Sequence, residues 1–180
     1  MAVRPIVRYP DPALKTPCAA VETFNQDLRD LADDLLDTMR AAPGVGITAA
    51  HIGVLKRVAV IELSRDDGMR IYVNPAIEYA SDETSRHTEG SVSMPGVTDE
   101  IERPARVRVR YQTLTGEHVT EDADGFLAIC IQHEIDQLDG IFWLQRLSRL
   151  KRGRAIKRWE KMLRAGLIAS TRRPPLTTRT

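Results

Sequence analysis

The stretch Gln132-His133-Glu134-Ile135-Asp136-Gln137 decides how this chain is read. A His and the residue four positions on lie on one face of a helix. When both are His, as in H-E-x-x-H, they can hold a metal while the Glu between them acts as general base. Here the second of those positions is Gln137, so the hexapeptide has the form of a metallohydrolase helix with one ligand changed. The six residues before it, Phe126 to Ile131, are all apolar and predict a helix buried on all sides. Gly140 is suited to end it. Polar side chains at the end of a buried helix need partners. His133, Glu134 and Gln137 therefore belong either to a metal or catalytic site or to a satisfied structural network.

Upstream, Thr23-Phe24-Asn25-Gln26 has the form of a capping box. Leu28, Leu31, Leu35 and Met39 follow at helical spacing, which predicts about four turns ending before Pro43-Gly44. Arg57 to Leu63 and Arg70 to Asn74 read as strands joined by a turn at Asp66-Asp67-Gly68. Ala105, Val107, Val109 and Tyr111 alternate with Arg106, Arg108, Arg110 and Gln112, a half-buried strand with a charged outer face. Thr115-Gly116 turns it, and Glu117 to Glu121 returns antiparallel. Ser148 to Arg164 reads as a second, basic helix. With no internal repeat and no linker, residues 1–169 read as one domain and residues 170–180, with Pro174-Pro175, as a disordered tail.

The chain has 180 residues, 42% hydrophobic and 28% charged, ordinary for a soluble globular protein. No apolar run approaches the roughly 18–20 residues of a membrane helix, and no membrane role is expected. The start lacks the apolar core of a secretory signal. Two cysteines, Cys18 and Cys130, suggest no disulfide framework, so a cytoplasmic location is expected. The net charge of +1 hides an asymmetry. From Arg146 onward there are 12 Lys/Arg and one acid, net +11; residues 1–145 hold 14 Lys/Arg and 24 Asp/Glu, net −10. A basic C-terminal region on an acidic body suggests an anionic partner, or simply a solvated helix face.

Two further segments have the composition of functional loops. Gly44-Val45-Gly46-Ile47-Thr48-Ala49-Ala50-His51 combines glycines with small residues, which lets backbone approach another chain or a ligand closely. Glu89-Gly90-Ser91-Val92-Ser93 offers a carboxylate and two hydroxyls.

In this order, the three segments resemble the motifs of the peptide deformylase family, whose members remove the formyl group from the N-terminal methionine of new proteins. The family motifs read G-φ-G-φ-A-A-x-Q, E-G-C-φ-S and Q-H-E-φ-D-H-φ-φ-G, with φ apolar. The resemblance implies an α+β fold: small antiparallel or mixed sheets around a central buried helix, with a C-terminal helix. It implies a pocket for N-terminal peptides at Gly44, Gly46, His51 and Val92, and Glu134 as catalytic base and acid. It places the ligands of a divalent iron or zinc ion at His133, Ser91 and Gln137. The last two are substituted here, for Cys and His, and His51 replaces the Gln that helps hold the formyl oxygen. A neutral hydroxyl and an amide oxygen bind such metals poorly. The expectation is weak or absent deformylase activity, with binding of N-terminal peptides, and of the ribosome through the basic helix. The alternative is an active hydrolase of formyl or related amides with a metal site rebuilt on His51 and His133. Metal-free attack by Ser91 is a third reading.

Overall fold

The computed structural model describes residues 2–168; the predicted tail at 170–180 lies outside them. The described residues form an α+β arrangement of seven strands and three α-helices, with short 3₁₀ turns between. The strands are β1 (Gly46–Thr48), β2 (Val58–Ile61), β3 (Arg70–Ala80), β4 (Thr84–Glu89), β5 (Asp99–Pro104), β6 (Arg106–Gln112) and β7 (His118–Asp124). The helices are α1 (Gln26–Ala41), α2 (Gly125–Leu138) and α3 (Arg149–Arg164). One sheet has the order β1-β2-β3-β6-β7, antiparallel throughout. β4 and β5 form a separate hairpin.

The middle of the larger sheet is covered on both faces, which is why Val58-Ala59-Val60-Ile61 is apolar without alternation. Val58 and Val60 pack with Leu28, Leu35 and Met39 of α1. Ala59 and Ile61, on the other face, pack with Ile131, Ile135 and Leu138 of α2. Between β3 and the edge strand β7, β6 keeps the predicted alternation: Val107 and Val109 are buried while Arg106, Arg108 and Arg110 face solvent. A third cluster joins Leu14, Met94, Phe142 and Trp143 to Trp159 of α3, so the C-terminal helix is tied to the N-terminal segment.

Several local expectations need correction. α1 is capped by Asn25 and not by Thr23: the Asn25 side chain accepts from Leu28 N–H. α2 is not buried all round: Phe126, in its first turn, is 41% exposed and stacks on His87. The second loop begins in a strand, since Glu89 ends β4. The glycine segment is also partly regular, with β1 running into a 3₁₀ turn at Ala49–Ile52.

α2 ends as its sequence required. Gly140 sits at φ +76°, and a Cβ there would lie 2.8 Å from the carbonyl oxygen of Lys15. The N-terminal segment can thus cross the end of the helix in close contact, and Gln137 Nε2–H donates to the Leu14 carbonyl there at 2.9 Å. No helix among the described residues is long and apolar enough to cross a membrane.

Candidate functional site

The three segments meet around one cleft of about 310 Å³. Gly44, Gly46 and His51 come from the first, Glu89, Ser91 and Val92 from the second, and His133 and Glu134 from α2. Gln137 does not line it. Its side chain is buried and turned to the N-terminal segment. Approach between the walls is close. A Cβ on Gly46 would fall 2.3 Å from Glu134 Oε1, and one on Gly44 2.9 Å from Val92 Cγ1.

His51 is fully buried. Its Nδ1 accepts from the Thr48 backbone N–H at 2.9 Å and lies 3.0 Å from the Thr48 hydroxyl. A backbone N–H can only donate, so Nδ1 carries no hydrogen and the neutral ring holds its proton on Nε2. That nitrogen lies 3.5 Å from Ser91 Oγ, to which it donates a long hydrogen bond. Ser91 Oγ also accepts from Ser93 N–H at 3.1 Å. Burial, with the neighbouring His133, pushes the His51 pKa down to about 3, so the ring is neutral at physiological pH.

His133 has the opposite arrangement. Its Nδ1 lies 2.8 Å from Glu89 Oε2, and a carboxylate can only accept, so Nδ1 carries a hydrogen. Burial opposes a charge on this ring, but the hydrogen bond to Glu89 and the nearby Glu134 hold its pKa above the ordinary imidazole value. Glu89 is held ionised by Arg103, which forks across it with Nε–Oε1 at 2.6 Å and Nη2–Oε2 at 2.9 Å. Burial alone would raise the Glu89 pKa, but Arg103 and His133 bring it down to about 2. Arg103 also donates to Asp136 Oδ2 at 2.8 Å, and Asp136 receives a second fork from Arg146. This ladder of two carboxylates and two guanidinium groups backs the cleft with balanced charge. Nothing in the sequence pattern singled out Arg103, because a lone Arg in a polar strand reads as surface; it is 4% exposed.

Glu134 has no such partners. It is 5% exposed, and its carboxylate makes no hydrogen bond or ion pair among the described residues. Oε2 is shut from solvent without a partner. Burial raises its pKa to about 7, against the opposing pull of His133. Cys130 also lines the cleft, but burial and the nearby Glu134 push its thiol up to about 12, so it is no thiolate near neutral pH. Among the described residues no three His, Cys, Asp or Glu side chains are grouped to hold a metal ion.

A buried helix presents His-Glu to a cleft between two glycine-bearing loops, over an antiparallel sheet, which defines an α+β scaffold with one helix-borne site. The family model for polypeptide deformylase matches residues 3–153, and the chain belongs to the peptide deformylase family. It is 65% identical over 164 residues to a peptide deformylase-like protein of Brucella melitensis, covering 91% of this chain and 100% of that one. It is 50% identical over 168 residues to a peptide deformylase of Phenylobacterium zucineum, covering 92% and 99%. The crystal structure of a peptide deformylase from Legionella pneumophila superposes with a TM-score of 0.87 at 35% identity, over 94% of this chain and 100% of that one.

Proposed function

We propose that this chain keeps the peptide cleft of its family without a ligand set able to hold a divalent metal, removes formyl groups weakly or not at all, and acts by binding N-terminal peptide segments. One observation carries the reading: the Thr48 N–H that donates to His51 Nδ1. A histidine ligates through Nε2 only when its proton is on Nδ1 or lost. His51 has the reverse tautomer, with Nε2–H turned to Ser91.

The remaining positions support the same reading. Ser91 Oγ already accepts from Ser93 N–H and His51 Nε2–H, which fills both its lone pairs. Gln137 uses its amide on the Leu14 carbonyl, outside the cleft. His133 alone keeps the arrangement of a metal-binding imidazole, with Nδ1–H on a carboxylate. One imidazole with a neighbouring carboxylate is a poor site for iron or zinc. A site rebuilt on His51 and His133 would have to break the Thr48 hydrogen bond first. The tautomer also disfavours Ser91 as a metal-free nucleophile, because His51 Nε2 already carries a proton and cannot accept another from the serine.

Metal analysis and a formyl-methionyl peptide cleavage assay test the reading, on the wild-type chain and on the triple variant His51→Gln, Ser91→Cys, Gln137→His. The expected result is substoichiometric metal and negligible cleavage for the wild type, with both rising in the variant. Stoichiometric iron, zinc or nickel in the wild type that disappears in His51→Ala would establish the rebuilt site instead.

α3 supports a polyanionic partner, with the ribosome as the proposed one. Arg154, Lys157, Arg158, Lys161 and Arg164 are all exposed along it. Contacts from such a face to RNA phosphates weaken steeply with salt. Pelleting with ribosomes that is lost as salt is raised supports this docking, and salt-independent pelleting or none counts against it.

A further inference from the structure

Behind the cleft, three consecutive residues of the N-terminal segment hold both of its loops. Val7 N–H donates to the His51 carbonyl at 2.8 Å, and Tyr9 N–H donates to the Ser93 carbonyl at 3.0 Å. Between them, the Arg8 guanidinium donates through Nη1 to the Val92 carbonyl. Arg8 is half-buried, yet it makes no ion pair among the described residues, and its Nε is shut from solvent without a partner. Burial draws its pKa below the ordinary guanidinium value, and no acid opposes the shift. By contrast, half-buried Arg57 and buried Arg103 each meet a carboxylate. A charge taken from water without a counter-charge is costly, and the one acceptor that Arg8 meets belongs to the cleft wall.

The carbonyl of Val92 and the N–H of Ser93 belong to a single peptide unit. Arg8 binds its oxygen, and its N–H donates to Ser91 Oγ at 3.1 Å. Ser91 and Val92 both line the cleft. With both Ser91 lone pairs taken, its O–H is left to donate. The bonds thus run head to tail from a guanidinium, through a planar amide, to a hydroxyl, and in such a chain each bond strengthens the next by about 10–30%. Resting on the reading of this cleft as a peptide site, we propose that Arg8 is a positioning residue for it. Arg8 fixes the plane of the Val92–Ser93 peptide unit, and through it places and polarises the Ser91 hydroxyl as a donor to a backbone carbonyl of the bound peptide. Arg8 does not itself line the cleft; it acts through the loop.

The two flanking backbone bonds keep residue 8 in register whatever its side chain, so substitution there isolates the guanidinium. The test combines amide hydrogen exchange with calorimetric titration by amidated Met-Ala-Ser, formylated or free, with a chelator present. In Arg8→Met, the Ser93 N–H is expected to exchange at least about tenfold faster than in the wild type, while the Val60 N–H in β2 keeps its rate. Peptide binding is expected to weaken about tenfold, the scale of one hydrogen bond to a charged group. Arg8→Lys, which keeps a charged donor, is expected to restore both. If Arg8→Met does not fold, Arg8→Gln carries the same two readouts. Wild-type exchange at Ser93 in the variant overturns the inference, as does undiminished affinity for a peptide that the wild type binds. Equal acceleration at Val60 also overturns it, because Arg8 would then be a general prop of the fold. Each of these leaves the peptide-site reading standing. If neither peptide binds the wild type, that reading falls and the role of Arg8 in it falls too.

Discussion

Glu89 and Glu134 line one cleft on opposite walls, both buried and both beside His133, yet their surroundings are opposed. Glu89 on β4 accepts three hydrogen bonds, two from Arg103 and one from His133, and its pKa falls to about 2. Glu134 on α2 accepts none, and burial lifts its pKa to about 7. A buried charge that is fully paired costs little while the pairing lasts, whereas a buried charge without partners is a standing penalty. The fold tolerates that penalty at one wall of an open cleft, where a ligand can relieve it. Burial and charge therefore do not by themselves set the two carboxylates apart; the missing partner does.

The contrast breaks most visibly at Arg103. Removing it as Arg103→Met leaves buried Glu89 with His133 as its one partner and Asp136 with Arg146 alone, and the expected loss of stability is about 3–5 kcal/mol by urea unfolding. An unchanged midpoint would show that water reaches the ladder and that it is not structural.

Glu134→Gln is the next largest effect, with the opposite sign. A carboxylate whose pKa rises from about 4.3 unfolded to about 7 folded costs nothing below the lower value. The cost grows as pH rises between the two and is complete above 7, where it is on the order of 3 kcal/mol. The variant should match the wild type near pH 4 and exceed it at pH 8. Glu89 has the reverse slope: its contribution is present above about 4.3 and is lost as pH falls toward 2. A wild type less stable than Glu134→Gln at both pH values by the same amount would sink the titration argument.

Gly46→Ala sharpens the same point sterically. A methyl 2.3 Å from Glu134 Oε1 forces the carboxylate aside, with an expected cost of about 1–3 kcal/mol. Removing the carboxyl at the same time, in Gly46→Ala with Glu134→Ala, should recover much of that loss if the contact is its cause. A site remote from both carboxylates sets the scale: Asn25→Ala deletes the α1 cap and should cost about 1 kcal/mol at every pH tested.

Much of the fold was legible because periodicity follows burial. The spacing of Leu28, Leu35 and Met39, the alternation of Val107 and Val109, and the stop at Gly140 are all where the chain shows them. The hairpin of β4 and β5 was not, because Thr84-Ser85-Arg86-His87-Thr88-Glu89 is polar on both faces and gives no alternation to read. The cap at Asn25 was missed because Thr23 offered the same motif two residues early. In the site, the three motifs named the residues that gather at the cleft, except Gln137, which lies behind it. The roles of those residues lie in which atom donates to which, and a tautomer held by one backbone N–H leaves no trace in residue identity.

That tautomer is the most direct object to measure. Long-range proton–nitrogen correlation spectra of the imidazole rings at neutral pH report which nitrogen of His51 carries the hydrogen, before and after zinc is added. The account predicts Nε2–H for His51, Nδ1–H for His133, and no change at His51 on adding zinc. A His51 ring protonated on Nδ1, or an Nε2 resonance that shifts to a metal-bound position with zinc, would contradict it.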